Sequence, residues 1–360
     1  MCRPTAPRRG YDYRALIMKL SYQLVEQSWP LAKEFRISRG AKTQANVLLL
    51  ALSDGEHVAW GESVPYARYG ETLTSVSQQI ERIMPLLSSQ TSGEQLNQMM
   101  PAGAARNLVD CALWDLRAKK ANASVATLLG LTPASTVITA QTLSIDTKER
   151  MAAEARTIGN AQLIKIKLDE HDIIEKMEQI HLAAPQSQFI IDANEAWSFE
   201  TLIQVLPALA KLNVALIEQP LPSNNDTDLA TLSSPIPICA DESCHVSADL
   251  AKLKGKYQAI NIKLDKAGGL TEAVKLMQAA TEQGFIIMTG CMVGTSLAMA
   301  PAYLLSGASS FVDLDGPLLI AKDRDNGFTF ADGQMQPHSS AFWGGENNQT
   351  NVELARLFTS

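Results

Sequence analysis

The sequence predicts an α/β protein: a (β/α) barrel with a smaller α+β module. Three observations predict it. From Val137 onward, apolar runs alternate with helical patterns, as in a parallel sheet covered on both faces. Successive runs end in a charged residue, Lys167, Asp192, Glu218, Asp241 and Lys263, at intervals of 25, 26, 23 and 22 residues, each about one strand–helix unit. Before residue 130 the order is different: strands come first and helices after, which suits a separate α+β unit.

The elements follow in order. Segments 19–29, 45–53 and 56–62 read as strands, the last two joined by the hairpin-type turn Ser53-Asp54-Gly55-Glu56. Helical periodicity covers 71–88, 92–99 and 103–120, where Leu108, Cys111, Ala112 and Leu116 share a face. Barrel strands are expected at 137–143, 163–167, 188–192, 214–217, 237–240, 259–263, 284–288 and 310–313. Helices are expected at 147–158, 171–182, 199–211, 226–232, 247–254, 270–282 and 295–305. The expected division is an extension at 1–18, a capping module at 19–130 completed by about 325–360, and a barrel at 131–324. Met18 is a candidate natural start, because alternation begins at Leu20.

Composition narrows the function. A net charge of −7 and a pI near 5.4 argue against a nucleic-acid surface. The five cysteines include no C-x-x-C pair, which suits a reducing compartment. No apolar run reaches the ~18 residues of a membrane span. The basic N-terminus lacks a signal-peptide apolar core, so a cytoplasmic location is expected. A homo-oligomer is compatible with the sequence. No G-x-G-x-x-G or P-loop is present.

The strand ends carry the chemistry. In a (β/α) barrel, catalytic groups gather at the C-terminal ends of several strands. Asp192, Glu218 and Asp241 are three hard oxygen donors, a set that suits Mg²⁺. One acidic residue after a strand is commonly a helix cap; three on consecutive strands ask for another explanation. Lys165 and Lys167 share one strand face, and Lys263 lies on the far side of a barrel of eight. Lysine works as a base when its pKa falls toward neutrality, which nearby positive charge promotes. Carboxylates for a cation, with opposed lysines, suit removal of a proton next to a substrate carboxylate, the cation stabilising the ene-diolate.

The motifs Lys165-Ile166-Lys167, Asp192-Ala193-Asn194, Glu218-Gln219-Pro220, Asp241-Glu242-Ser243 and Asn261-Ile262-Lys263 resemble those of the enolase superfamily, muconate-lactonising subgroup, over roughly residues 19–355. Sites of that superfamily pair a Lys or His base with Mg²⁺. The resemblance implies one Mg²⁺ on Asp192, Glu218 and Asp241, Lys167 as base on one face, Lys263 as acid/base on the other, and Lys165 as electrostatic helper. The strand Phe285–Thr289 carries no histidine, which speaks against the mandelate-racemase branch. The resemblance also implies a modified TIM, enolase-like barrel with the first module as its capping domain, whose loops around 33–42 and 63–70 close over the site.

Asp313 and Asp315 end the last strand and, by alternation, point together into the barrel mouth, where two carboxylates suit an ammonium group. Asp315-Gly316 alone is also an ordinary turn. Within the superfamily such a pair resembles the dipeptide epimerases, and Gly290–Ser296 and Pro65–Glu71 look like the L-Ala-D/L-Glu epimerases. That resemblance implies a dipeptide held by Asp313 and Asp315 at its amine and lined by Thr142, Cys291 and Met292. Its C-terminal residue would be inverted, with a role in murein-peptide metabolism. A glutamate side chain would need a cation, Arg39 before Arg36. Rivals on the same site are o-succinylbenzoate synthase, N-acylamino-acid racemase and muconate cycloisomerase. A rival of another class is a non-catalytic, metal-stabilised binding protein.

Overall fold

The computed structural model describes residues 20–345. The expected 1–18 extension, the Met18 start and the tail beyond 345 lie outside the described residues.

Three antiparallel strands open the chain: β1 (Ser21–Ile37), β2 (Gly40–Ser53) and β3 (Val58–Ser63). Helices α1 (Leu73–Ile83), α2 (Gly93–Met99) and α3 (Ala104–Ala121) pack on them, and a short α4 (Val125–Leu129) follows. Thr72 and Ser92 start α1 and α2 with reciprocal capping boxes. The inward side chains Leu48, Leu50 and Leu52 of β2 meet Val76, Ile80, Leu108 and Leu116 of the helices in one core.

The segment expected as a loop at 33–42 is instead the end of a long hairpin. β1 and β2 pair as far as Ile37 and Gly40, with a register shift between Pro30 and Phe35. Phe35 and Ile37 do alternate, but the charged neighbours Lys33, Glu34 and Arg36 face solvent and mask the pattern.

The barrel strands are β5 (Gln141–Leu143), β6 (Leu163–Lys167), β7 (Gln188–Asp192), β8 (Val214–Glu218), β9 (Ile238–Ala240), β10 (Ala259–Ile262), β11 (Ile286–Gly290) and β12 (Phe311–Asp313), hydrogen-bonded in that order. Neighbours run parallel, and Ala140 N donates to Val312 O at 2.8 Å, joining first to last. The first expected strand splits. β4 (Val137–Ile138) leaves the barrel to pair with β14 (Gln334–Gln336), itself in a hairpin with β13 (Thr329–Ala331).

Helices α5 (Lys148–Thr157), α6 (Ile173–Ala183), α7 (Phe199–Leu209), α8 (Leu250–Leu253), α9 (Leu264–Ala267), α10 (Leu270–Glu282), α11 (Ser296–Tyr303) and α12 (Gly316–Leu319) cover the outside or cap strand ends. The helix expected at 226–232 is a 3₁₀ stretch, Thr227–Thr231. Its Asp and Thr side chains compete with helical bonding, as when Thr231 Oγ1 donates to Asp228 O. No helix among the described residues is long and apolar enough to cross a membrane.

Strand alternation builds the barrel interior in layers. Leu163, Ile190, Leu216, Cys239, Ala259 and Met288 form an apolar floor. Two residues further along each strand come Lys165, Asp192, Glu218, Asp241, Asn261 and Gly290. The intervening Ile164, Ile166, Ile191 and Ile217 face the helices.

Candidate active site

Above that floor lies a cavity of about 1180 Å³, closed over by the β1–β2 hairpin end and the segment 64–74. Every sequence-predicted site residue except Asp192, Glu218 and the second-choice Arg36 lines it. Asp192 and Glu218 are fully buried, in the same layer as Lys165 and Asp241.

The strand ends place lysines among carboxylates. Lys165 Nζ lies 2.7 Å from Glu218 Oε2, 2.7 Å from Asp313 Oδ2 and 3.1 Å from Asp192 Oδ2. Lys167 Nζ is 2.5 Å from Asp192 Oδ2, and Lys263 Nζ is 2.6 Å from Asp241 Oδ2. The two outer lysines thus flank opposite ends of the arc Asp192–Glu218–Asp241. Two residues that the sequence reading gave no separate role orient this arc. Asn261 Nδ2 donates to Glu218 Oε1 at 2.7 Å. Lys266 Nζ holds the backbone oxygens of Asp241, Cys244 and Asn261 and stands 2.5 Å from Asp241 Oδ1. Gly290 is required beside Asn261, because a Cβ there would sit 2.5 Å from Asn261 Oδ1.

Burial works against charge on Lys165, but Asp313, Glu218 and Asp192 hold it well above the ordinary lysine range. Burial likewise opposes, and Asp241 and Glu218 outweigh it, at Lys263. The groups that raise Lys263 are carboxylates of the set that would hold a cation. Burial raises Glu218, and Asp192 adds to the rise. At Asp192 burial is overcome by Lys167 and Lys165, which pull it down.

Among the described residues no three His, Cys, Asp or Glu side chains stand close enough to hold an ion as they are. The donor chemistry nevertheless fits Mg²⁺. Three buried carboxylates end consecutive strands, and Glu218 Oε2 and Asp241 Oδ1 accept no hydrogen bond despite the nearby ammonium groups.

At the other end of the cavity, Asp315 Oδ2 accepts Thr142 N at 2.7 Å, and Asp313 Oδ1 is buried with no hydrogen-bond partner. Burial, with Asp313 close by, pushes Asp315 up to about 7. The alternation argument does not reach Asp315, because β12 ends at Asp313 and Asp315 caps the short α12. The two carboxyls still meet in one cavity because the chain turns there.

Arg39 reaches the cavity, but its donors are engaged: Asn194 O at 2.8 Å, Glu242 Oε1 at 2.9 Å, Tyr66 Oη at 3.1 Å and Glu195 Oε2 at 3.3 Å. Arg68 grips Glu195 through two nitrogens, at 2.8 and 2.9 Å. Together with Ser38, which donates to Asn194 O, these arginines fasten the covering loops to the loop after β7. Arg36 is exposed and turned to Glu34. The sequence reading passed over Lys42. It lines the cavity with its ammonium 5.3 Å from the Tyr66 ring centre and no carboxylate within ion-pair distance among the described residues.

Two family models match the chain: "Mandelate racemase / muconate lactonizing enzyme, N-terminal domain" over residues 19–130 and "Enolase C-terminal domain-like" over 148–341. The chain belongs to the enolase superfamily. Among curated relatives in that superfamily, an N-acetyl-D-glutamate racemase from a Pseudoalteromonas species is 50% identical over 313 residues, 86% of this chain and 99% of the relative. An L-Ala-D/L-Glu epimerase from Escherichia coli K12 is 46% identical over 315 residues, 87% and 98% of the two chains. Among solved structures, an enolase family member from Agrobacterium tumefaciens with bound sodium and L-Ala-L-Glu superposes with a TM-score of 0.88 at 43% identity, covering 90% of this chain and 100% of that one. A dipeptide epimerase from Enterococcus faecalis complexed with Mg and L-Leu-L-Tyr has a TM-score of 0.84 at 26% identity, covering 91% and 99%. The enolase-like barrel expected from the sequence is thus the fold found.

Proposed function

We propose that this chain is a Mg²⁺-dependent isomerase that inverts the α-carbon of the C-terminal residue of a dipeptide, L-Ala-D/L-Glu foremost. The observation that carries the reading is the pair Lys167 and Lys263 at opposite ends of the Asp192–Glu218–Asp241 arc, both opening on one cavity. Asp192, Glu218 and Asp241 are the residues that would hold the cation. When bound, Mg²⁺ supplies positive charge beside the substrate carboxylate, where negative charge grows as the α-proton leaves.

Everything else is done by the chain. Lys167 takes the α-proton from one face and Lys263 delivers one to the other, or the reverse for the opposite epimer. Lys165, between them and below, adds fixed positive charge to the carboxylate end. Asp313, with its unpartnered Oδ1, and Asp315 receive the dipeptide ammonium. Thr142, Cys291 and Met292 line the peptide. Lys42, not the engaged Arg39, is a cation free of ion pairs among the described residues and is the one assigned to a glutamate side chain. The hairpin end and the segment 64–74 exclude water from the site. We take residues 19–130 and the tail as the capping module, and the cytoplasm and cell-wall peptides as the setting.

A second reading is favoured by the 50% identity to an N-acetyl-D-glutamate racemase. An N-acylated glutamate keeps the same two ends but offers no ammonium to Asp313 and Asp315. With Asp315 near 7, its carboxyl can carry a proton and donate to an acyl oxygen. Turnover of L-Ala-L-Glu and of N-acetylglutamate, with Mg²⁺ and with Asp315→Asn beside wild type, tests the choice. The dipeptide reading expects L-Ala-L-Glu to be preferred and its turnover to suffer more from the substitution. Preference for N-acetylglutamate with equal losses would replace it.

A further inference from the structure

The segment following Lys263 is held from two sides. α9 sits directly on this lysine: Lys266 N and Ala267 N donate to Lys263 O at 3.1 and 2.9 Å. Inward, the Lys266 ammonium ties α9 to Asp241. Outward, α9 meets the edge of α3. Arg106 Nε and Nη2 donate to Gly268 O and Ala267 O at 2.9 and 2.6 Å, capping α9. Asp110 accepts Thr271 N and Oγ1 at 2.8 and 2.7 Å. The fit leaves no slack, since a Cβ on Gly268 or Gly269 would strike Arg106 or Asp110, and both glycines have positive φ.

At the centre of this seam one carboxylate oxygen has two donors. Asp265 Oδ1 accepts Asn107 Nδ2 of α3 at 2.8 Å and Val64 N at 3.0 Å. All three residues are buried. Asn107 is itself fixed, its Oδ1 accepting Cys111 Sγ at 3.2 Å. Val64 begins the segment that covers the cavity and packs with Val47 and Met292 on its wall. Asp265 is therefore the point where the covering loop, α3 and the backbone of Lys263 are joined.

We propose that Asp265 and Asn107 are positioning residues that set the face of the reaction served by Lys263, linking its placement to the seating of the covering loop. The proposal rests on the two-lysine reading above. Neither residue lines the cavity, so neither touches substrate. Their effect is confined to one of the two faces, which isotope exchange can resolve. In D₂O, deuterium returned by the lysine that removed the α-hydrogen gives exchange without inversion. Deuterium returned by the opposite lysine gives inversion.

The experiment compares wild type, Asn107→Ala, Asp265→Ala and Asp265→Asn, with Mg²⁺, on both epimers of L-Ala-Glu and on both enantiomers of N-acetylglutamate. A misplaced Lys263 should slow inversion by about tenfold to a hundredfold in the two alanine variants. Exchange without inversion of the epimer whose α-hydrogen faces Lys167 should change by less than about threefold. Asp265→Asn keeps an acceptor oxygen for both donors and should restore inversion to within about threefold of wild type. Should Asp265→Ala fail to fold, Asn107→Ala, which leaves the Val64 bond in place, carries the test. Folded alanine variants that invert at wild-type rate, or that lose exchange and inversion in equal measure, overturn the proposal. A wild-type protein inert toward all four substrates overturns the two-lysine reading, and this proposal with it.

Discussion

Lys42 is where the structure makes its sharpest statement about substrate choice. It stands on β2, paired in register with Phe35, with its ammonium over Tyr66 and facing the cavity. A charge-assisted bond from it to a glutamate side chain would be worth about 1.5–3 kcal/mol when water is excluded. Lys42 is exposed, so solvent screening reduces this to about 0.5–1 kcal/mol. At about 1.4 kcal/mol per factor of ten, Lys42→Ala should raise KM for L-Ala-L-Glu by about twofold to fivefold. Its kcat should stay within about twofold, and L-Ala-L-Leu, which presents no carboxylate there, should be equally indifferent in both constants. Steady-state rates of inversion followed by polarimetry give all four constants. Arg39→Ala is the contrast. Its guanidinium fastens the hairpin end to Asn194, Glu195 and Glu242, so its loss should lower kcat/KM for both substrates alike. If Lys42→Ala harms both dipeptides equally, or Arg39→Ala is selective for glutamate, the assignment of these two cations is wrong.

Two further predictions concern stability. Burial raises Asp265 from 3.8 to about 7, so the folded state keeps a proton that the unfolded chain releases above about pH 4. Its contribution is fully favourable below that pH and is lost as pH rises toward 7, by up to about 4 kcal/mol. Asp265→Asn carries no such loss, so its melting temperature relative to wild type should rise between pH 5 and pH 8; a constant difference would contradict the reasoning. Arg324 pairs with Glu62 at 2.6 Å in full burial, and Glu62 also accepts Thr295 N and Oγ1 beside the Cys291–Gly294 turn. Arg324→Met strands that carboxylate and should cost about 3–5 kcal/mol in urea unfolding. A loss below about 1 kcal/mol would contradict the reading of a buried ion pair.

The strand ends were legible because the chemistry repeats at the period of the fold. Two-residue alternation put Lys165 and Lys167 on the inner face of β6, and the strand–helix spacing brought Asp192, Glu218 and Asp241 to one end. What failed was whatever depends on partners far apart in the chain. Arg39 reads as a free clamp until Glu195 and Glu242, more than 150 residues away, are seen to engage it. Nothing local in the sequence singles out Lys42; it comes to the cavity only because the hairpin folds over the barrel mouth. Nothing local marks Asn107 and Asp265 as neighbours, since 158 residues separate them. Asp315 was placed correctly in the cavity by an argument that does not hold there, because the strand ends two residues earlier.

The central claim is that two amines address one carbon from opposite sides. Lys167→Ala and Lys263→Ala, each incubated in D₂O with Mg²⁺ and each pure epimer, test it most directly by NMR of the α-hydrogen. The account predicts that neither variant inverts, that each still exchanges one epimer, and that the epimer exchanged differs between the two. Both variants exchanging the same epimer, or either one inverting at full rate, would contradict it.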